Sequence, residues 1–127
     1  EGLPDINPEK DPYWSKGDMD EAIYEEVKNT LSDPRFKICK GFFPDSASNI
    51  DQDIKFAFIH IDVDIHDSTV SGCEYFYSKM TPGGIMLFDD YGFLSCPGVK
   101  TAVDAFFKDL PETPIYLPSG QCFIIKK

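Results

Sequence analysis

At 127 residues, with 22 acidic against 12 basic side chains and a net charge of −10, the chain has the size of one domain. That charge is the wrong sign for a nucleic-acid or anionic-membrane surface, and 42% hydrophobic residues, with 11 Phe and 6 Tyr, exclude a disordered chain. No apolar run approaches the ~18 residues of a membrane span and no signal-peptide pattern opens the chain, so a soluble, cytoplasmic protein is expected.

Residues 1–17, rich in Pro and charge, read as a loop lead-in to a single α/β domain spanning 1–127. Asp18 and Glu21 have the spacing of a helix N-cap pair, and Met19, Ile23, Val27 and Leu31, with Ala22 beside them, repeat on one helical face until Asp33-Pro34 stops it. A short strand is expected at Phe36–Lys40, then a polar stretch with a turn of helix over Asp45–Lys55. The apolar run Phe56–Ile61 reads as a buried parallel strand, with His60 as a core residue inside it. Ser71-Gly72-Cys73-Glu74 resembles a capping box, and Cys73, Phe76, Tyr77 and Met80 supply the apolar face of the helix behind it. Thr81-Pro82-Gly83-Gly84 then breaks the chain before a second apolar strand, Gly84–Phe88. Pro97 suits the first turn of another helix, whose face is Val99, Ala102, Val103, Phe106 and Leu110. Ile115–Leu117, the Pro118-Ser119-Gly120 turn and Cys122–Ile125 read as a hairpin. The strand–helix alternation predicts a parallel α/β sheet closed by an antiparallel hairpin. Cys39, Cys73, Cys96 and Cys122 lack Cys-x-x-Cys spacing and are expected as free thiols, mostly buried.

Both apolar strands run directly into acids: Asp62-Val63-Asp64 after the first, Asp89-Asp90-Tyr91 after the second. Ligands of open α/β sheets bind at the carboxyl ends of strands, and carboxylates gathered there repel unless a cation lies among them. Asp62, Asp89 and Asp90 are therefore the candidate ligands of a hard metal ion. Strand alternation turns Asp64 away from Asp62 and leaves it either a turn residue or a residue behind the metal ligands. His66, near the same rim, is either a substrate-side acid or base or a cap of the following helix. Tyr91 either faces a substrate or packs.

The ordered motifs Glu1-Gly2-Leu3-Pro4, Gly41-Phe42-Phe43-Pro44-Asp45, Asp62-Val63-Asp64-Ile65-His66-Asp67-Ser68-Thr69, Pro82-Gly83-Gly84, Asp89-Asp90-Tyr91-Gly92 and Pro97–Asp104 resemble the macrocin O-methyltransferase family, within the class I S-adenosylmethionine-dependent methyltransferases. The resemblance implies a Rossmann-like sheet with a terminal antiparallel hairpin. It also implies S-adenosylmethionine and Mg²⁺ as cofactors and a small-molecule acceptor methylated on a hydroxyl of a sugar-containing or polyol-like molecule. Carried over to this chain, it makes Asp62, Asp89 and Asp90 the metal ligands; Asp62 and, from its place near the rim, His66 are the candidate catalytic residues. The cofactor's side of the site falls on Gly41, Phe42, Phe43 and Asp62. His66 departs from the family pattern, where Tyr is commoner. The family's Gly-rich cofactor loop and ribose-binding acid belong before Glu1-Gly2-Leu3-Pro4, so the chain corresponds to the later two-thirds of such a domain, lacking the first strands. On that reading cofactor binding by this chain is expected to be weak, and methyl transfer by it alone negligible. The edge of the Phe56–Ile61 strand is then either closed by Phe36–Lys40 or open to pairing with another copy.

Two other enzymes place acids after apolar strands. A haloacid dehalogenase-type phosphatase needs a Thr/Ser strand, a Lys and usually a cap between its acidic motifs, and the interval from Asp62 to Asp89 has no room for them. A DxD glycosyltransferase normally carries its motif after a nucleotide-binding half of different strand order. A non-catalytic remnant or assembly module with the same fold is the alternative outside enzymology.

Overall fold

The computed structural model describes residues 2–20 and 24–127. Its elements are helix α1 (Tyr24–Thr30), a 3-10 turn (Asp45–Asn49), strand β1 (Phe56–Ile61), helix α2 (His66–Tyr77), strand β2 (Met80–Phe88), helix α3 (Pro97–Phe107), and strands β3 (Ile115–Tyr116) and β4 (Cys122–Ile125). The sheet order is β1-β2-β4-β3. β1 and β2 are parallel, and β4 runs antiparallel to both β2 and β3. This is the α/β architecture with a reversed terminal strand that the alternation of elements predicts.

The core lies on one face of the sheet. Ile59 and Ile61 of β1, Met86 and Phe88 of β2, and Cys122 and Ile124 of β4 are buried together with Cys73 of α2 and Val99, Val103 and Phe107 of α3. α3 begins at Pro97, whose fixed φ and missing N–H suit a first helical turn. Cys73, Cys96 and Cys122 are buried free thiols, and burial pushes those of Cys73 and Cys122 up to about 12, which makes them unreactive.

The opposite face is open, contrary to the expectation of a strand buried on both sides. Phe58 is 59% exposed, and its cross-strand neighbour Ile85 is exposed, as are Ile125 and Ile115 further across. An apolar run is compatible with both arrangements; only packing decides between them. No residue of α1 is buried, and Val27 and Leu31 stay partly exposed, so the helical face predicted there is not part of the core. Ile23, Ala22 and Glu21, part of that predicted helix, lie outside the described residues. The Asp18 carboxylate accepts the Ser15 N–H at 2.8 Å and Met19 follows with φ 63°, while Glu21, the other half of the expected cap pair, lies outside the described residues. Residues 36–40 form no strand. A strand needs a partner ladder, and β1, at the edge of the sheet, has its outer side unpaired among the described residues.

The lead-in is part of the fold rather than a tether. Leu3 and Gly17–Asp18 are joined by backbone bonds of 2.7 and 3.0 Å, and Trp14 packs on the core. Asp11 is 1% exposed, and both its carboxylate oxygens accept the His66 N–H at 3.1 Å, capping α2 from 55 residues away. Gly98 leaves room for that carboxylate, since a Cβ there would sit 1.9 Å from Asp11 Oδ1. A cap of this kind contributes about 1 kcal/mol and satisfies a donor that has no helical partner. The capping box expected at Ser71 does not start the helix: α2 begins at His66, and the Ser71 hydroxyl donates to the Asp67 carbonyl within it.

Candidate metal and acceptor site

Ile61 and Phe88 are register partners at the ends of β1 and β2, so the residues that follow them leave the sheet side by side. The Asp89 N–H extends the ladder by one bond, donating to the Ile61 carbonyl at 3.0 Å. One carboxylate oxygen from each of Asp62, Asp89 and Asp90 lies within 4.8 Å of the others, as two acid-tipped parallel strands require. Asp62 is exposed, Asp89 half-buried and Asp90 only 9% exposed. Burial, then the charges of Asp64, Asp62 and Asp89, push the Asp90 carboxyl up to about 6, against one N–H donated by Asp64.

Asp64 belongs to this cluster, which strand alternation does not predict. The chain leaves the strand after Ile61, and at Asp64 it turns through φ 61°, a left-handed conformation that a short polar residue tolerates. Its carboxylate joins Asp90 and the Cys96 thiol in a second group of close donor atoms. Burial, then Asp62 and Asp89, raise the Asp64 carboxyl as well. Four acids thus share one rim.

His60 is exposed rather than a core residue, because it lies on the open face of the sheet. Its Nε2 is 3.2 Å from Asp89 Oδ1. Gln121, in the turn leading to β4, donates to the same oxygen at 2.6 Å. These two contacts orient Asp89 and leave its other oxygen free to face a cation. The only sequence signal for Gln121 is a polar residue set against an otherwise apolar strand.

His66 opens α2 on the same rim but contacts none of the four acids. Its Nδ1 lies 2.7 Å from Asp67 Oδ1 and 3.3 Å from Lys10 Nζ. At Nδ1 the ring thus faces a carboxylate that accepts and an ammonium that donates, so either tautomer has a partner there. Hydrogen bonding to His66 holds the Asp67 carboxyl below its usual range.

Of the residues assigned to the cofactor, Gly41 has φ 127°, a backbone conformation suited to glycine, and Phe42 is 47% exposed with a ring free to stack. The Phe43 ring is committed to packing: it stacks on Phe76 at 5.4 Å and meets Tyr75 edge-on at 5.2 Å. Tyr91 donates its hydroxyl to Asp104 at 2.7 Å and accepts from Lys100 at 3.0 Å.

The profile of the family described as Macrocin-O-methyltransferase (TylF) matches residues 17–114, more than half of the chain. The chain belongs to the macrocin O-methyltransferase family. A relative from Streptomyces niveus, demethyldecarbamoylnovobiocin O-methyltransferase, is 29% identical over 121 aligned positions, covering 84% of this chain and 44% of the relative. The solved structure of the O-methyltransferase NovP superposes with a TM-score of 0.80 at 23% identity, over 99% of this chain and 56% of that one. The fold is therefore that of a family O-methyltransferase, and the chain spans about half the length of the relatives it matches. Among the described residues no helix is long and apolar enough to cross a membrane.

Proposed function

We propose that this protein acts as an S-adenosylmethionine-dependent O-methyltransferase that uses Mg²⁺ and methylates a hydroxyl of a small sugar-containing or polyol-like acceptor. The observation that carries this reading is the convergence of Asp62, Asp89 and Asp90 at the ends of two neighbouring parallel strands, in a chain of this family. The donor set fits the ion: all-oxygen, anionic and open to solvent at Asp62, as a hard divalent cation prefers. When bound, Mg²⁺ supplies Lewis acidity that makes a weakly nucleophilic alcohol easier to deprotonate.

The remaining work falls to the chain's own groups. Asp62, at the strand end between the cofactor and metal sides, fixes the acceptor oxygen in line with the methyl group. His66, on the same rim, takes the hydroxyl proton on its imidazole, with the Asp67 carboxylate beside it to stabilise the imidazolium formed. The new bond forms between the acceptor oxygen and the methyl carbon as the carbon–sulfur bond breaks and its electron pair returns to sulfur. Phe42 offers a face for the adenine, with Gly41 allowing the backbone to come close, while Phe43 holds that loop on α2.

The test is mass analysis of products from the full reading frame carrying this chain, with S-adenosylmethionine, Mg²⁺ and a panel of glycoside and polyol acceptors. Addition of one methyl group is expected, abolished by a chelator and restored by Mg²⁺. Asp89→Asn is expected to lower kcat/KM at least ~100-fold, about 3 kcal/mol of transition-state stabilisation. Phosphate release without methylation, or full activity in chelator, contradicts the proposal.

A further inference from the structure

The three acids of the rim are not held alike. Asp62 is exposed, whereas Asp89 is gripped from both neighbouring strands. Strand alternation puts Asp89 on the open face with Ile85 and Leu87. In the antiparallel register Phe88 pairs with Cys122, so the next step along brings Gln121 beside Asp89. In the parallel register Leu87 pairs with His60, which shares that open face. Gln121 Nε2 donates to Asp89 Oδ1 at 2.6 Å, and His60 Nε2 lies 3.2 Å from the same oxygen. An ionised carboxylate only accepts, so His60 presents a proton on Nε2 and the two donors take both lone pairs of Oδ1. The amide is itself oriented: the Ser119 hydroxyl donates to Gln121 Oε1 at 3.1 Å, which turns the NH₂ end towards Asp89. Backbone bonds that use neither side chain fix the turn. The Leu117 N–H donates to the Gln121 carbonyl at 2.8 Å, and the Gly92 N–H to the Gly120 carbonyl at 2.6 Å.

We propose that Gln121, with His60, makes Asp89 a one-oxygen ligand and thereby biases the acid rim towards a small octahedral cation such as Mg²⁺ and against Ca²⁺. It rests on the proposed function only in placing a cation among Asp62, Asp89 and Asp90. Ca²⁺ is large and often takes both oxygens of a carboxylate; Mg²⁺ holds to an octahedron, which the narrow bite of a two-oxygen carboxylate does not fit. With both lone pairs of Oδ1 engaged, a two-oxygen grip on Ca²⁺ costs the Gln121 bond or the His60 contact. A one-oxygen grip on Mg²⁺ through Oδ2 keeps both. Gln121 touches no ion on this account: it is a positioning residue, supplied by the terminal hairpin, that acts through Asp89.

The test is calorimetric titration of the protein from the full reading frame carrying this chain, with Mg²⁺ and with Ca²⁺, in the absence of cofactor and acceptor. The binding counted is that which Asp89→Asn removes. Gln121→Met, which keeps the length of the side chain without its N–H, is expected to weaken Mg²⁺ ~10-fold. Ca²⁺ should bind the same variant as tightly as the wild type or more so, because Oδ1 is released to it. Gln121→Lys restores an N–H donor but adds a charge, so it is expected to weaken both ions and keep their ratio within ~3-fold of the wild type. Ser119→Ala, at an exposed position away from the ion, is expected to lower the Mg²⁺ to Ca²⁺ affinity ratio ~2- to 3-fold. A ratio unchanged in Gln121→Met, or equal losses for the two ions, overturns the proposal and leaves the cation site standing. Binding of neither ion by the wild type overturns the site itself, and this proposal with it.

Discussion

Asp90→Asn is expected to make the cation-free protein more stable at pH 7.5, while abolishing the stabilisation that Mg²⁺ gives the wild type. The Asp90 carboxyl is raised to about 6 in the folded chain, by burial first and then by Asp64, Asp62 and Asp89, from an ordinary value of 3.8. A carboxyl raised by folding contributes stability that is complete below 3.8 and is lost as pH rises through about 6. Above that pH the folded state holds a charge it disfavours by roughly 1–3 kcal/mol, the upper figure being the full shift and the lower allowing for relaxation and solvent screening. Asn removes the charge and still accepts the Asp64 N–H. The melting temperature of the cation-free variant should therefore rise by several degrees, on the order of 3–10 °C. Saturating Mg²⁺ at ~100 times its dissociation constant should add about 2.7 kcal/mol to the wild type and almost nothing to the variant. Calorimetry with and without Mg²⁺ at pH 4.5 and 7.5 checks both halves. If Asp90→Asn is destabilising in cation-free buffer at pH 7.5, the crowding of carboxylates is not the dominant energetic feature of the rim.

The second large effect lies at the far end of the molecule and has nothing to do with chemistry at the rim. Glu112 is 2% exposed and is a hub for the C-terminus. It accepts from the Tyr77 hydroxyl at 2.7 Å, from Lys126 at 2.9 Å and from the Lys127 N–H at 3.0 Å. Lys126 also lies 4.0 Å over the Tyr77 ring. Burial alone would raise this carboxyl, but the hydrogen bonds from the Lys127 N–H, Tyr77, Lys126 and its own N–H outweigh it and hold it down to about 2. Glu112→Ala leaves a partly buried hydroxyl and a largely buried ammonium without their partner, and is expected to cost about 3–5 kcal/mol. Glu112→Gln keeps an acceptor for Tyr77 and should cost roughly half as much. Urea denaturation at pH 7 measures both. A depressed carboxyl acts in the sense opposite to Asp90: its contribution is complete above 4.5 and is lost as pH falls towards 2. The two groups together place the stability maximum of the cation-free protein near pH 4–5, and Mg²⁺ should move it upward. A cost below ~1 kcal/mol for Glu112→Ala would show that the C-terminus is not anchored through this side chain.

The rim was legible in the sequence because two features combine there. Apolar runs ending in acid fix both the strand and its end, and parallel register then brings Asp62 and Asp89 together without further information. α3 and the β3–β4 hairpin were legible for similar local reasons, a Pro at the first turn and a Pro-Ser-Gly reversal. What sequence did not show depends on partners distant in the chain. The cap of α2 comes from Asp11, 55 residues away, while the local capping-box pattern at Ser71 lies inside the helix. His60 reads as core because it interrupts an apolar run, yet Phe58 and His60 share the face that no helix covers. Asp64 enters the acid cluster through a left-handed φ that strand periodicity does not encode. The strand expected at residues 36–40 has the composition for it but pairs with no strand among the described residues.

The central claim, that Asp62, Asp89 and Asp90 hold one divalent cation, is most directly tested with Mn²⁺ as a paramagnetic probe. Substoichiometric Mn²⁺ added to the isotopically labelled chain should broaden amide resonances in a single zone, covering Asp62–Asp64 and Asp89–Tyr91, and excess Mg²⁺ should reverse the broadening. Asp89→Asn should abolish it. Broadening spread over the many exposed carboxylates, or centred on another acidic stretch such as Asp51–Asp53, or unchanged in Asp89→Asn, would contradict the account.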